Sequence, residues 1–265
     1  MVGKYRIMSL NCNGLRHSTK RRSIFQYLKA KQVDIILLQE THIEESDAPQ
    51  CEQEWESGNI VYNPGTSNSA GQMLLTKKPV QILESRIHEK GRLQEIILID
   101  QDYTLRIFNI YGYNREQMRI PLLVKLENAV NIHKESDFTC IGGDFNIVLS
   151  NLLDKEGGNN KRTPSQVYLN NLISNISFVD TWRKENPTQK TFTWSQTSPA
   201  VKCRLDYFLV PTQFVHSVNK TTITTCIKTD HKGVELQVSI DKYKEDQGYG
   251  NSTVKSLTTK SMYAT

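Results

Sequence analysis

The chain has 265 residues, 37% of them hydrophobic, with 33 Lys and Arg against 28 Asp and Glu for a formal net charge of +5. That composition supports a large core and excludes wholesale disorder, and the mild positive charge suits a polyanionic partner without identifying one. No run approaches the roughly 18 apolar residues of a membrane helix, and MVGKYRIMSL lacks a hydrophobic signal core, so neither a membrane partner nor secretion is expected.

In chain order, YRIMSLN (5–11) predicts a strand, TKRRSIFQYLKAK (19–31) a helix with Ile24, Tyr27 and Leu28 on one face, and VDIILLQE (33–40) a second strand. Strands follow at 58–63, 71–77, 93–100 and 105–113. A helix is predicted over 120–135 with Pro121 near its start, then a strand at 138–144, and a helix over 164–176 with Pro164 near its start. The last strands are 191–195, 203–210, 221–229 and 232–240. Many strands with few helices predict an α/β layered fold, sheets face to face and helices outside. After Ile240 the chain turns polar and rich in Ser, Thr and Lys, so 241–265 is expected to be a tail or linker towards a downstream domain. Cys12, Cys51, Cys140, Cys203 and Cys226 are scattered, odd in number and without metal spacing, which fits a reduced, intracellular chain.

Polar residues recur at the strand ends: Asn11 in SLNCNG, Glu40 in ILLQETH, Tyr111 and Asn114 in YGYN, Asp144 and Asn146 in GGDFN, Asp206 in RLDYFLV, and Asp230 with His231 in TDH. Singly each has an ordinary explanation. Asn favours turns, a Glu ends many solvated strands, and a Tyr is usually core. Asp206 is harder to dismiss, because a carboxylate inside an apolar strand must be paired, exposed or functional. Together the set suits phosphodiester hydrolysis. Carboxylates hold a hard divalent ion, another carboxylate activates water, neutral donors grip phosphate oxygens, and a His steered by an Asp meets the growing charge.

These motifs, in this order over roughly residues 5–240, resemble the endonuclease/exonuclease/phosphatase superfamily, and SLNCNGL, LLQETH, GGDFN and DTWRKENP…TFTW…RLDYFLV resemble the N-terminal endonuclease domain of non-LTR (LINE-type) retrotransposons. The resemblance implies a deoxyribonuclease I-like, four-layer α/β sandwich of two facing mixed sheets flanked by helices, occupying 1–240. It implies Glu40 as the main ligand of Mg2+ (or Mn2+), with Asn11 and Asp230 in support. Asp144 would activate water, Asn146 would bind a phosphate oxygen, and Tyr111 with Asn114 would form a phosphate-side pair. His231 would meet the scissile phosphate, oriented by Asp206, and Thr193 would lie near the DNA backbone. Many repair-type members carry an acidic residue where this chain has Asn13, which favours one metal held chiefly by Glu40. No chemistry attaches to His42.

SQTSPAVKCR (195–204) is expected to form a hairpin that reaches DNA, with Lys202 and Arg204 at its basic end, while HSTKRRS (17–23) and EGGNNKRTPSQ (156–166) are further basic segments. The expected activity is Mg2+-dependent nicking of double-stranded DNA, leaving a 3′-hydroxyl for target-primed reverse transcription by a reverse transcriptase domain of the same polyprotein, in the nucleus. The alternative is a repair-type apurinic/apyrimidinic endonuclease, or another phosphodiesterase or phosphatase of the same superfamily.

Overall fold

The chain is described by a computed structural model that covers residues 2–241 apart from His133. Its first half runs β1 (Val2–Asn11), α1 (Ser18–Ala30), β2 (Ile35–Gln39), α2 (Ala48–Trp55), β3 (Ile60–Asn63), β4 (Gln72–Thr76), β5 (Gln81–Glu89), β6 (Leu93–Asp100) and β7 (Tyr103–Tyr111). The second half runs α3 (Glu116–Asn131), β8 (Phe138–Asp144), β9 (Lys155–Glu156), α4 (Pro164–Asn175), β10 (Phe178–Asp180), α5 (Thr181–Glu185), β11 (Trp194–Thr197), β12 (Ala200–Cys203), β13 (Asp206–Pro211), β14 (Val218–Thr224) and β15 (Gly233–Asp241). These strands form a six-stranded sheet in the order β14-β15-β1-β2-β4-β3, a second in the order β10-β13-β8-β7-β6-β5, and a small sheet β11-β12-β9.

The central strands read as continuous apolar runs because both of their faces are covered. In β1 and β2, Tyr5, Ile7, Ile35 and Leu37 point into the space between the large sheets. Met8, Leu10, Ile36 and Leu38 point the other way, onto Ile24, Phe25 and Leu28 of α1 and Cys51 and Trp55 of α2. In the second sheet, Ile107, Phe138, Cys140 and Phe208 face inward, while Phe108, Ile141 and Leu209 face Leu122, Leu126, Leu169 and Leu172 of α3 and α4. The layers are therefore helix, sheet, sheet, helix, which is the four-layer sandwich expected. Each fully buried Leu or Ile contributes about 1.5–3 kcal/mol to that packing.

The differences from the expected elements have local causes. The helix α3 starts at Glu116, so Pro121 lies inside it rather than at its start. Glu116 anchors that beginning through its carboxylate, which accepts from the Ser165 amide and hydroxyl at 2.8 Å each. The unforeseen α2 buries only Cys51 and Trp55, too few apolar positions to show a period. The unforeseen β5 is an edge strand with Glu84, Arg86 and His88 on it, the charged dressing that keeps sheet edges from pairing further. The run 203–210 is broken at Arg204 and Leu205 into two strands, and 178–180 supplies a short edge strand. The strand expected at 221–229 runs from 218 to 224. Of the expected tail, Asp241 closes β15 and the rest lies outside the described residues.

Candidate active site

Topology brings the polar strand ends to one place. The parallel pair β1/β2 ends at Asn11 and Gln39, directly opposite each other, with Glu40 next in chain. In the second sheet, Tyr111 is the register partner of Asp144, and Asp144 that of Asp206, so three neighbouring strands present them in a row. His231 enters from the segment before β15 and bridges to Trp194.

One amide joins the two sheets here. The Asn11 Nδ2 donates to Glu40 Oε2 at 3.0 Å and to Asp144 Oδ2 at 2.9 Å. Asp206 Oδ2 lies 2.8 Å from His231 Nδ1, and His231 Nε2 lies 4.0 Å from Asp144 Oδ2. Asp230 is held at both oxygens, accepting from Asn13 Nδ2 at 3.0 Å and from Trp194 Nε1 at 2.9 Å. Asn13, Glu40, His42 and Asn146 all have positive φ, between 47° and 55°. Such backbone is uncommon outside Gly and Asn, and Asn13, Glu40 and Asn146 bring it to the cleft itself.

The cleft has a volume of about 500 Å³, and its lining falls into an acidic and amide floor (Asn11, Glu40, Asp144, Asn146, Asp230, His231) and a rim with Arg119, Lys155 and Lys161. Burial, then the neighbouring Asp206 carboxylate, pushes the Asp144 carboxyl up to about 7. Burial alone would lower the His231 imidazole, but Asp206 first, then Asp144 and Asp230, raise it to about 10. Asp206 thus favours the proton-carrying form of His231, and burial favours the neutral form of Asp144 beside it. Burial, followed by Glu40, pushes the Tyr111 phenol well above its ordinary value.

The donor chemistry suits a hard divalent cation. Asp144, Asp206 and Asp230 gather around the His231 imidazole, Glu40 lines the same cleft, and Asp206 Oδ1 is buried without a hydrogen-bond partner. Asp144, Asp206 and His231 each offer a donor atom within 4.8 Å of the others. Within that trio the 2.8 Å contact already engages His231 and Asp206, and Glu40, outside the trio, adds a carboxylate partly exposed to the cleft. A carboxylate-rich donor set of this kind fits Mg2+ or Mn2+ better than a softer ion.

Among the expected site residues, Asn11, Glu40, Asn114, Asp144, Asn146, Asp230 and His231 line the cleft, with Tyr111 and Asp206 buried directly behind. Three expected substrate contacts lie elsewhere. Arg204 does not reach outward to DNA. It is fully buried, with its Nε 2.7 Å from Asp154 Oδ1 and its Nη2 2.6 Å from Asp180 Oδ2, because a guanidinium under a hairpin must be neutralised. Thr193, expected near the DNA backbone, is buried as well. Its hydroxyl oxygen accepts from the Leu205 and Asp206 amides at 2.9 and 3.2 Å, fixing the strand that carries Asp206. Lys202 is exposed on β12, paired with Glu156 at 2.6 Å, and is not part of the cleft lining. The 195–204 stretch does form the expected hairpin. In HSTKRRS, Arg21 is buried against Glu54 at 2.6 Å and is not free for a ligand.

The pair Asp144 and Asn146 reads in sequence as side chains alternating along an extended strand. The structure instead ends β8 at Asp144 and turns through Asn146 at φ 53°, while Phe145 stacks on Tyr207 at 4.2 Å. The Asn146 amide group donates to the Gly112 carbonyl at 3.0 Å, and its backbone N–H to Asp144 Oδ1 at 2.9 Å. Gly112 is where two backbones touch, since a Cβ there would lie 1.9 Å from the Phe145 carbonyl oxygen.

Two contributions are missed by the strand-end pattern. Arg92 lies with its guanidinium 4.2 Å from the Tyr111 ring and 4.6 Å from the Tyr113 ring, and its Nη1 donates to the same Gly112 carbonyl at 3.1 Å. Beneath the site, Gln39 Nε2 donates to Asn109 Oδ1 at 2.8 Å, and Asn109 Nδ2 to the Leu38 and Met73 carbonyls at 3.2 Å, pinning one sheet to the other. The available signal was the amide itself, in the middle of the apolar runs LRIFNIY and IILLQE.

Residues 8–231 match the Endonuclease/Exonuclease/phosphatase family, and the chain belongs to it. It is a family of nucleases and phosphatases, hence of hydrolases. The chain is 27% identical over 243 residues to a Xenopus laevis "Transposon TX1 uncharacterized 149 kDa protein", covering 88% of this chain and 18% of that protein. It is 23% identical over 257 residues to an exodeoxyribonuclease of Bacillus subtilis, covering 89% of this chain and all of that enzyme. In fold it is similar to the AP endonuclease LMAP of Leishmania major, with a TM-score of 0.75 at 15% identity over 89% of this chain and 87% of the other. It is also similar to the Xenopus laevis APE2 catalytic domain, with a TM-score of 0.74 at 20% identity over 90% and 94%. A Neisseria 3′ phosphatase, NExo, solved bound to a product DNA hairpin, has a TM-score of 0.74 at 14% identity over 88% and 99%.

Proposed function

We propose that the chain is a divalent-metal-dependent endodeoxyribonuclease that nicks double-stranded DNA for a non-LTR retrotransposon. The cut would leave a 3′-hydroxyl for target-primed reverse transcription by a reverse transcriptase domain of the same polyprotein, working in the nucleus. The observation that carries the chemistry is the junction of Asn11, Glu40, Asp144, Asp206 and His231 in one cleft with a basic rim. The transposon setting is supported by likeness to a transposon protein of which the chain spans less than a fifth.

A Mg2+ ion held chiefly by Glu40, close to the Asn11 amide, would screen the phosphate charge and stabilise the leaving alkoxide. The chain's own residues do the rest. Asp206 holds the His231 ring through Nδ1, so Nε2 is turned to donate to a non-bridging oxygen of the scissile phosphate. Asp144, fixed by Asn11 and by the Asn146 backbone, orients the attacking water and takes its proton. Asn114 and Asn146 hold phosphate oxygens without competing for the metal, and Tyr111 braces Glu40 from behind.

The second reading is a repair-type apurinic/apyrimidinic endonuclease or related phosphatase, and the solved neighbours named AP endonucleases favour it. Plasmid nicking separates the two. With Mg2+, intact supercoiled plasmid should be nicked to ends that a polymerase extends, at a rate comparable to that on an abasic duplex and far above that on a soluble phosphomonoester. Asp144→Asn should keep duplex binding and lose nicking by about 100-fold or more. Cutting confined to abasic sites would replace the first reading by the second.

A further inference from the structure

The outer face of the first sheet is covered only in part. Along β1, Met8 and Leu10 lie under α1 and α2. Lys4 and Arg6 continue the same face towards the strand's start, and both are exposed. They border a hollow of about 560 Å³ whose lining carries four cations, Lys4, Arg6, Lys77 and Lys78, against one carboxylate, Asp34. The hollow shares no residue with the cleft. Arg6 and Lys4 precede Asn11 by five and seven residues on one strand, a distance of about 17–23 Å.

Folding leaves most of this charge unneutralised. Asp34 accepts from the Arg6 backbone N–H at 2.8 Å, so it fastens the chain rather than the guanidinium. The Arg6 Nη1 donates to Gln32 Oε1 at 3.0 Å, a neutral partner. Lys77 Nζ donates to the Lys29 and Lys31 carbonyls at 2.5 Å each. Of the four cations only Lys78 has a carboxylate, Asp100 at 2.7 Å. Strand register extends the row sideways. Arg6 lies opposite Gln237 on β15, and Gln237 opposite Lys220 on β14, so all three share the face. Among the described residues, no carboxylate pairs with Lys4, Arg6, Lys77 or Lys220. Cations gathered without partners repel one another, and a bound polyanion relieves that repulsion.

The lining chemistry selects among polyanions. Gln32, Asn219 and Gln237 place side-chain amides among the cations. Tyr5, Val33 and Val238 are buried in the floor, so the hollow presents no apolar anchor of the kind that holds a protein partner. Amides beside cations suit an unpaired strand, which presents base edges together with its phosphates. We propose that this face binds a single-stranded nucleic acid, RNA or DNA, through its phosphodiester backbone, at a site separate from the cleft. Such a site holds a second strand while a duplex occupies the cleft.

The test follows the fluorescence anisotropy of a short labelled single strand, made as RNA and as DNA, on the full chain in EDTA so that nothing is cut. The parent should bind, with affinity that falls as salt rises. Lys4→Glu with Arg6→Glu should weaken binding by about tenfold or more and make the log–log salt slope shallower by about 1.4, two contacts at about 0.7 each. Plasmid nicking with Mg2+ should be unchanged in that variant. Lys4→Gln with Arg6→Gln should show a smaller loss of the same sign, which keeps the test open if the charge reversal does not fold. Lys90→Glu with Lys184→Glu, an equal change of charge at exposed positions elsewhere, should leave strand binding unchanged. Binding of one labelled strand and not the other supports the site and identifies its source. An equal loss from the Lys90 and Lys184 pair makes the effect one of net charge and overturns the site. Loss of strand binding in Lys155→Glu with Lys161→Glu puts the strand in the cleft and overturns it too. Displacement by an oligoglutamate peptide as effective as by unlabelled strand replaces the nucleic acid by an acidic protein partner. A parent that binds the strand yet never nicks plasmid overturns the nuclease reading and leaves this site standing. A parent that nicks plasmid but binds no single strand does the reverse.

Discussion

Arg92 shows how much of a site can rest on a residue that never faces the cleft. Its guanidinium lies between two tyrosine rings and also donates to the carbonyl that receives the Asn146 amide. Each cation–π contact contributes about 0.5–2 kcal/mol, and the guanidinium plane is what lets one cation stack and donate together. Arg92→Met should therefore lower turnover in the plasmid assay by about tenfold while duplex affinity stays within about twofold, with a stability loss of about 1–3 kcal/mol by urea titration. Arg92→Lys should recover stability better than turnover, since an ammonium keeps the charge without the planar fork. At this scale the sequence was most legible where a polar residue ended an apolar run, as with Glu40 and Asp144. It was least legible where the role depended on the third dimension. Arg204 and Lys202 are two residues apart on the same stretch, yet one neutralises two buried carboxylates and the other sits in solvent. Nothing in KCR distinguishes them, because burial at a hairpin base is set by what packs beneath it.

The elements that carry the site are stiff because their outer faces are tied by charge as well as by apolar packing. On β6, the buried Glu95 lies 2.8 Å from Arg106, 2.9 Å from His88 and 3.1 Å from Lys134. Burial raises its carboxyl, but His88, Lys134 and Arg106 together lower it from 4.5 to about 2. A carboxyl lowered on folding adds stability that is complete above its unfolded value and is lost as pH falls through its folded value. Urea midpoints of the parent should thus fall between pH 4.5 and about 2, and Glu95→Gln should be less stable at neutral pH yet converge on the parent at the acid end. A flat difference across that range would show the pairs to be without consequence. The strand assignments held wherever both faces were apolar or branched, as in β2 and β8. They lapsed at β5, which needs no inward apolar face along its full length, and at α2, whose two buried residues leave no period to read.

For the molecule as a whole, the modest excess of 33 basic over 28 acidic residues matters less than its distribution. Acidic groups gather on the cleft floor, while Arg119, Lys155 and Lys161 stand on the rim, so a polyanion is drawn to the edge and tolerated at the centre only with a cation present. Duplex affinity should fall linearly in log–log form with salt, and Lys161→Met should make the slope shallower by about one unit, the loss of one phosphate contact. The layered fold was legible from the alternation of covered strands. The joining of the two sheets through Asn11, Gln39 and Asn109 was not, since side-chain amides across a sheet interface leave no periodic trace. That joining also has a temporal side. The strand that carries Asn11 is the first in the chain, and its partner β15, just after His231, is the last described. A ribosome must therefore release nearly the whole domain before any reaction centre exists. No half-made domain brings Asn11, Asp144 and His231 together, because the first and last described strands must pair before the cleft exists.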